Sequence, residues 1–162
     1  MNIDEVDLVF PDDCNVVLGY SHFIKTIEDL AEIVTTSVPQ CEFGIGFSEA
    51  SGKRLIRTEG NSDELITLAS ENLKRIASGH TFLIILRRAY PINVLNAVKL
   101  CQEVGYVMAA TSNPLTVLVA RNRRGGGIIG VIDGYSPLGV EDKASRSERI
   151  NFLRNIGYKK GP

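Results

Sequence analysis

Apolar positions along this chain change period several times, and each change marks an element. Glu5–Phe10 and Asn15–Leu18 read as two short strands around the Pro11-Asp12-Asp13 turn. Ser21 is placed to cap a helix running to about Ser37, with Phe23, Ile27, Leu30 and Val34 on one stripe and Pro39 beyond its end. In Phe43–Ser48 the apolar residues alternate with Gly44 and Gly46. This predicts a strand with one bare face, against which a backbone or a ligand must pack closely. A turn at Glu49–Lys53 leads to a strand around Arg54–Thr58.

Ser62 caps a second predicted helix. Its buried stripe is Leu65, Ala69, Leu73 and Ile76, and Gly79 stands where a C′ glycine belongs. Thr81–Leu86 is an unbroken apolar run, the mark of a central strand covered on both faces. A third helix is predicted over about Val94–Val104, with Gly105 stopping it. Tyr106–Ala110, Leu115–Ala120 and Ile128–Asp133 read as strands, the last two as a hairpin joined by an arginine- and glycine-rich loop. A last helix lies near Asp142–Asn155. The predicted class is α/β: one compact domain, a mixed β-sheet packed by three to four helices, and a C-terminal β-hairpin.

Composition narrows the function classes. The chain has 162 residues, a length that as a prior means one domain. The net charge of −1 provides no global field for nucleic acid, so the basic positions at Arg121–Arg124 and in the last helix do not make nucleic acid an expected partner. No apolar run reaches the ~20 residues of a membrane span, and the acidic start is unlike a signal peptide. Cys14, Cys41 and Cys101 are odd in number and lack C-x-x-C spacing, which points to free thiols in a reducing cytoplasm. His22 and His80 are the only histidines, too few for a histidine-rich zinc site.

The segment richest in candidate chemistry is Arg121–Gly134, R-N-R-R-G-G-G-I-I-G-V-I-D-G. Arginine supplies charge for an anion, and glycine lets the backbone approach it. Arg124, Gly125, Gly126 and Gly127 are the phosphate candidates; the alternative is an ordinary hairpin tip. Gly125, Gly127 and Gly130 spell G-x-G-x-x-G, but V-I-D-G follows where a dinucleotide fold needs a helix, so that reading is rejected. His22 lies near a predicted helix start and His80 just past a helix end. Each is open to phosphate contact, acid–base work or phosphoryl acceptance, or else to a capping role. Glu49 and Asp133 are the carboxylates that could hold Mg²⁺ or a ribose hydroxyl, though Asp-Gly is also a favoured turn pair. Asn93 and Asn96 could bond a base or ribose, or Asn93 could cap its helix. Thr111 and Asn113 lie in a loop at a strand end, a common place for ligand contacts.

Several motifs, taken in order, carry more than any one alone. They are G-Y-S-H-F-I-K-T (Gly19–Thr26), F-S-E-A-S-G (Phe47–Gly52), G-N-S-D (Gly60–Asp63), S-G-H (Ser78–His80), Y-P-I-N-V-L-N-A (Tyr90–Ala97), A-T-S-N-P (Ala110–Pro114), G-I-I-G-V-I-D-G (Gly127–Gly134) and P-L-G-V-E (Pro137–Glu141). In this order the chain resembles the adenosine-specific kinase family, from about Gly19 to Tyr158. The resemblance implies a small α/β protein that assembles as a homo-oligomer, expected to be a trimer, and binds adenosine, AMP or ATP. It implies phosphotransfer from ATP with Mg²⁺, and a histidine, best matched by His80, as phosphate carrier. Ser21, His22, Lys25, Arg124 and Gly125–Gly127 are then expected at nucleotide phosphates, and Asn93, Asn96, Thr111 and Asn113 at the nucleoside. His80, Asp133 and Glu49 are the expected catalytic set. Two positions depart from the family: Gly126 stands where an arginine is more usual, and Ser62 where an acidic residue is. A non-catalytic module that binds or senses adenine nucleotides is the alternative.

Overall fold

A computed structural model describes residues 2–161. In chain order the elements are β1 (Asn2–Asp7), β2 (Cys14–Ser21), α1 (Thr26–Ser37), β3 (Glu42–Ser48), β4 (Ile56–Gly60), α2 (Asp63–Ile76), β5 (Thr81–Arg87), α3 (Pro91–Leu100), β6 (Val104–Thr111), β7 (Leu115–Asn122), β8 (Gly125–Asp133) and α4 (Lys143–Asn155). The α/β class, the four helices and the β7–β8 hairpin are as the sequence predicts. The strands divide into two antiparallel sheets, a five-stranded one ordered β4-β3-β5-β2-β6 and a three-stranded one ordered β1-β7-β8.

Alternation along the central strands separates two cores. Leu83 and Ile85 of β5, with Val16 and Leu18 of β2, face α2 and the three-stranded sheet. Phe82, Ile84 and Leu86, with Val17, face α1 and α3. All five β5 residues are fully buried, which explains their unbroken apolar run. The expected stripe of α2 is buried, and Ser62 caps the helix by accepting from the Leu65 N–H. A Cβ at Gly44 would stand 2.2 Å from the Leu65 backbone, so α2 itself covers the bare face of β3 and no ligand is needed there.

Several boundaries differ from the sequence reading. Ser21 is not a helix cap; it ends β2, and α1 begins at Thr26 after Lys25 with no side-chain cap bond. Pairing with neighbouring strands outweighs the local capping signal there. Phe23 consequently lies in the connection and is half exposed. The strand expected near Arg54 begins at Ile56. Val104 opens β6 instead of closing α3. The left-handed residue ending α2 is Ala77 (φ 51°), and not Gly79. Gly79 is small for another reason: a Cβ there would meet the Ala50 side chain at 2.7 Å.

The chain beyond Gly134 stands apart. No residue of α4 is buried, and Tyr135, Leu138 and Val140 are almost fully exposed. Among the described residues no helix is long and apolar enough to cross a membrane.

Candidate functional site

The tip of the β7–β8 hairpin folds back onto the end of α2. Arg123 and Arg124 form the two-residue connection between the paired Asn122 and Gly125. Gly126 donates its N–H to the Ala77 carbonyl at 3.0 Å and bridges Ser78. A Cβ at Gly126 would stand 2.9 Å from that carbonyl and 2.7 Å from Val119 Cγ1. The glycine therefore fits a backbone-to-backbone contact with the Ala77 carbonyl. Arg121 is structural: its Nη1 and Nη2 each donate at 2.9 Å to the Ile76 and Arg75 carbonyls at the end of α2, and its Nε pairs with Asp4.

Beneath this tip lies a cleft of about 830 Å³. Its walls bring together Ser48 and Glu49, the Ala77-Ser78-Gly79 turn, and Arg124 with Gly125, Gly126 and Gly127. These come from three motifs far apart in sequence. Glu49 is already committed within its turn. Its Oε2 accepts from the Leu55 N–H at 2.8 Å, and its Oε1 from Arg57 Nε and Nη2 at 2.9 and 2.8 Å. The Leu55 bond first, and Arg57 second, hold its carboxyl below the usual range. With both oxygens engaged, Glu49 is a poor ligand for Mg²⁺.

His80 directly follows the cleft-lining Gly79 but does not itself line the cleft. Its backbone is left-handed at φ 61°, a conformation unusual for histidine. Two hydrogen bonds impose it: the His80 N–H donates to the Ser48 carbonyl at 2.7 Å, and the His80 carbonyl accepts from Ser21 N–H at 2.9 Å. The ring packs against Phe47 and edge-on to Tyr20, which stacks on Tyr106. No motif in the sequence signals this aromatic surround. Ser21, the last residue of β2, and His22 after it lie at the same end of the sheet. Ser21 is buried and engaged with Thr26 and the Glu103 carbonyl, so it presents no surface to a ligand. The exposed His22 donates its N–H to the same carbonyl at 3.1 Å.

Lys25 pairs with Asp29 one helical turn on and approaches Glu103 Oε2 at 3.7 Å. The Asp29 bond is the chief cause of the raised Lys25 pKa. Lys25 also lines a second hollow with Ile24, Arg57 and Glu59. Glu103, a buried acid unremarked in the sequence, lies 2% exposed.

Asp133, Thr111 and Asn113 gather at the end of β8 away from the tip. Asp133 Oδ1 accepts from Thr111 Oγ1 at 2.8 Å and from Asn113 Nδ2 at 3.1 Å, joining two motifs. The exposed Asp133 can still turn its other oxygen to a hard cation such as Mg²⁺. Asn93, the third residue of α3, accepts from the N–H of the N-cap Tyr90 at 2.8 Å and so belongs to the helix's capping box, while Asn96 is exposed on α3. Asp133 and Gly125 are the two ends of the nine-residue β8. At ~3.3 Å per residue, they lie roughly 25 Å apart. Within one chain the Arg124–Gly127 tip and the cluster of Asp133, Thr111 and Asn113 therefore do not meet.

The family model described as adenosine specific kinase matches residues 6–159. The chain belongs to the adenosine-specific kinase family. Among solved structures, this family member is similar to the PH1918 protein from Pyrococcus horikoshii OT3, at 38% identity over 99% of each chain with a TM-score of 0.94. No curated protein matches the chain. The match takes in both ends of the fold and the α4 arm, so the family pattern includes both residue groups.

Proposed function

We propose that the protein binds adenosine or an adenine nucleotide and transfers a phosphoryl group from ATP. The observation that carries this reading is the cleft where Arg124–Gly127 closes over the Ala77–Gly79 turn in a chain of the adenosine-specific kinase family. Arg124 stands where it can neutralise phosphate charge, which is most of what phosphoryl transfer asks of a protein. Asp133 is the better carboxylate for Mg²⁺, which supplies charge neutralisation on the donor's phosphates. Thr111, Asn113 and Asn96 are the proposed nucleoside contacts.

His80 is the proposed phosphate carrier. A ring nitrogen forms the bond to the γ-phosphorus as the bond from that phosphorus to the β–γ bridging oxygen breaks, and ADP leaves. The adenosine hydroxyl then takes the phosphoryl group, loses its proton and frees the histidine. The left-handed backbone of His80 and its two hydrogen bonds support a held ring position.

The active form in this reading is a homo-oligomer, expected to be a trimer, in which one copy supplies the phosphate end of a site and another the nucleoside end. Their separation within a chain supports it, as do the exposed Tyr135, Leu138, Val140, Phe152 and Tyr158 of the C-terminal arm. A second reading, binding without turnover, is favoured by the commitment of Glu49 to Leu55 and Arg57.

Incubation with γ-labelled ATP, Mg²⁺ and adenosine tests the proposal. Label is expected on AMP, with an acid-labile fraction on the protein. Saturable adenosine binding with no label on either leaves the binding module; no binding of any adenine compound overturns both.

A further inference from the structure

Asp29, Cys101 and Glu103 each point one donor atom at a common space, with all three atoms within 4.8 Å of one another. Asp29 lies in the first turn of α1, and Cys101 and Glu103 are the first and last residues of the α3–β6 connection. Cys101 Sγ is 3.9 Å from Asp29 Oδ2. An acidic pair beside a thiol is not itself a site. The independent observation is Glu103: its side chain is 1% exposed, and neither carboxylate oxygen accepts a hydrogen bond among the described residues.

Lys25 does not account for this arrangement. Its ammonium is bonded to Asp29 and stands 3.7 Å from Glu103, beyond the ~2.7–3.2 Å of an N–H···O bond. One ammonium against two carboxylates leaves a formal charge of about −1. A buried carboxylate with unfilled lone pairs is costly unless a cation or donor meets it. Ligand atoms of a tetrahedral Zn²⁺ stand about 3.5 Å apart, so the three donors close the set by side-chain movements of about 1 Å. The thiol favours a borderline-soft ion over Mg²⁺, which prefers oxygen ligands and water.

We infer that Asp29, Cys101 and Glu103 form a binding site for a divalent cation of the zinc class. On binding, the Cys101 S–H bond breaks, its proton leaves to solvent, and the sulfur forms the metal bond. The ion ties α1 to the α3–β6 connection directly behind the carbonyl that receives the His22 N–H. This site is separate from the proposed Mg²⁺ at the donor's phosphates.

The full-length protein is titrated with Co²⁺ and Zn²⁺ alone, in the absence of nucleotide. One Co²⁺ per chain is expected, with a thiolate-to-cobalt charge-transfer band that Zn²⁺ abolishes and Mg²⁺ does not. Cys101→Ser removes the band, and Glu103→Gln weakens binding at least about tenfold. Lys25→Met tightens binding by removing a competing cation. Should Cys101→Ser fold poorly, wild-type protein serves: Zn²⁺ is expected to slow alkylation of Cys101, read by peptide mass. A band that survives Cys101→Ser, absence of saturable one-to-one binding, or unchanged alkylation of Cys101 with Zn²⁺ overturns the site. None of these readouts depends on kinase activity.

Discussion

The Ser21 N–H donates to the His80 carbonyl at 2.9 Å, and that bond sets both histidines of the chain at one end of the paired strands β2 and β5. The two are not equivalent there. His80 is held by its left-handed backbone and packed against Phe47 and Tyr20, whereas His22 is exposed beside Phe23. Acid-labile label from γ-labelled ATP is therefore expected to vanish in His80→Ala and persist in His22→Ala. The reverse pattern would move the carrier role to His22.

Ala77 ends α2 at φ 51° with an exposed side chain. A residue with a Cβ is disfavoured in this region by roughly 1–2 kcal/mol, and glycine is the usual occupant. Ala77→Gly is expected to raise stability by about 1 kcal/mol in urea denaturation, allowing for the entropy glycine adds to the unfolded chain. A decrease would mean that Ala77 is not left-handed in solution.

Gly126 lies where the resemblance leads one to expect arginine, yet a Cβ would collide with the Ala77 carbonyl and with Val119. Overpacking of this kind costs about 1–3 kcal/mol. Both Gly126→Ala and Gly126→Arg are expected to lower the unfolding midpoint. An arginine variant as stable as wild type would show that the hairpin tip moves freely.

Glu49 accepts from the Leu55 N–H and from Arg57, and its folded pKa is lowered. Its contribution is thus fully present above the unfolded value and lost as pH falls through the folded one. Wild type is expected to exceed Glu49→Gln in Tm near neutral pH, with the gap narrowing below about pH 4.5. A gap independent of pH would remove the charge from the explanation.

If the arm seats on another copy, apolar burial holds it there. Leu138→Asp together with Tyr135→Asp is expected to shift the mass in light scattering to that of one chain, with loss of phosphotransfer. A wild-type protein that is already monomeric at all concentrations would sink the shared-site proposal.

Most of the fold was legible because its signals are local and periodic. The α2 stripe, the Ser62 cap and the β5 run each depend on neighbours a few residues away, and each is found in place. Signals that fail are those where long-range pairing competes. Ser21 has the chemistry of a cap but is taken by β2, and Gly79 looks like a C′ residue but answers to Ala50. The cleft was legible only in part. Glu49 and Arg124–Gly127 could be singled out by type, and the structure joins them. Glu103 and the aromatic surround of His80 had no signal, because ordinary residues acquire meaning there only through burial and contact.

By itself the sequence determined the α/β class, the element order and, through its ordered motifs, the adenosine-specific kinase family. These follow from periodicity and residue type, which survive without coordinates. Only the tertiary structure decided that the arginine–glycine tip closes on Ala77, that Asp133 belongs with Thr111 and Asn113, and that the two groups stand at opposite ends of β8. The physical reason is that strand pairing and helix packing set distances between residues remote in sequence, and no local pattern encodes those distances.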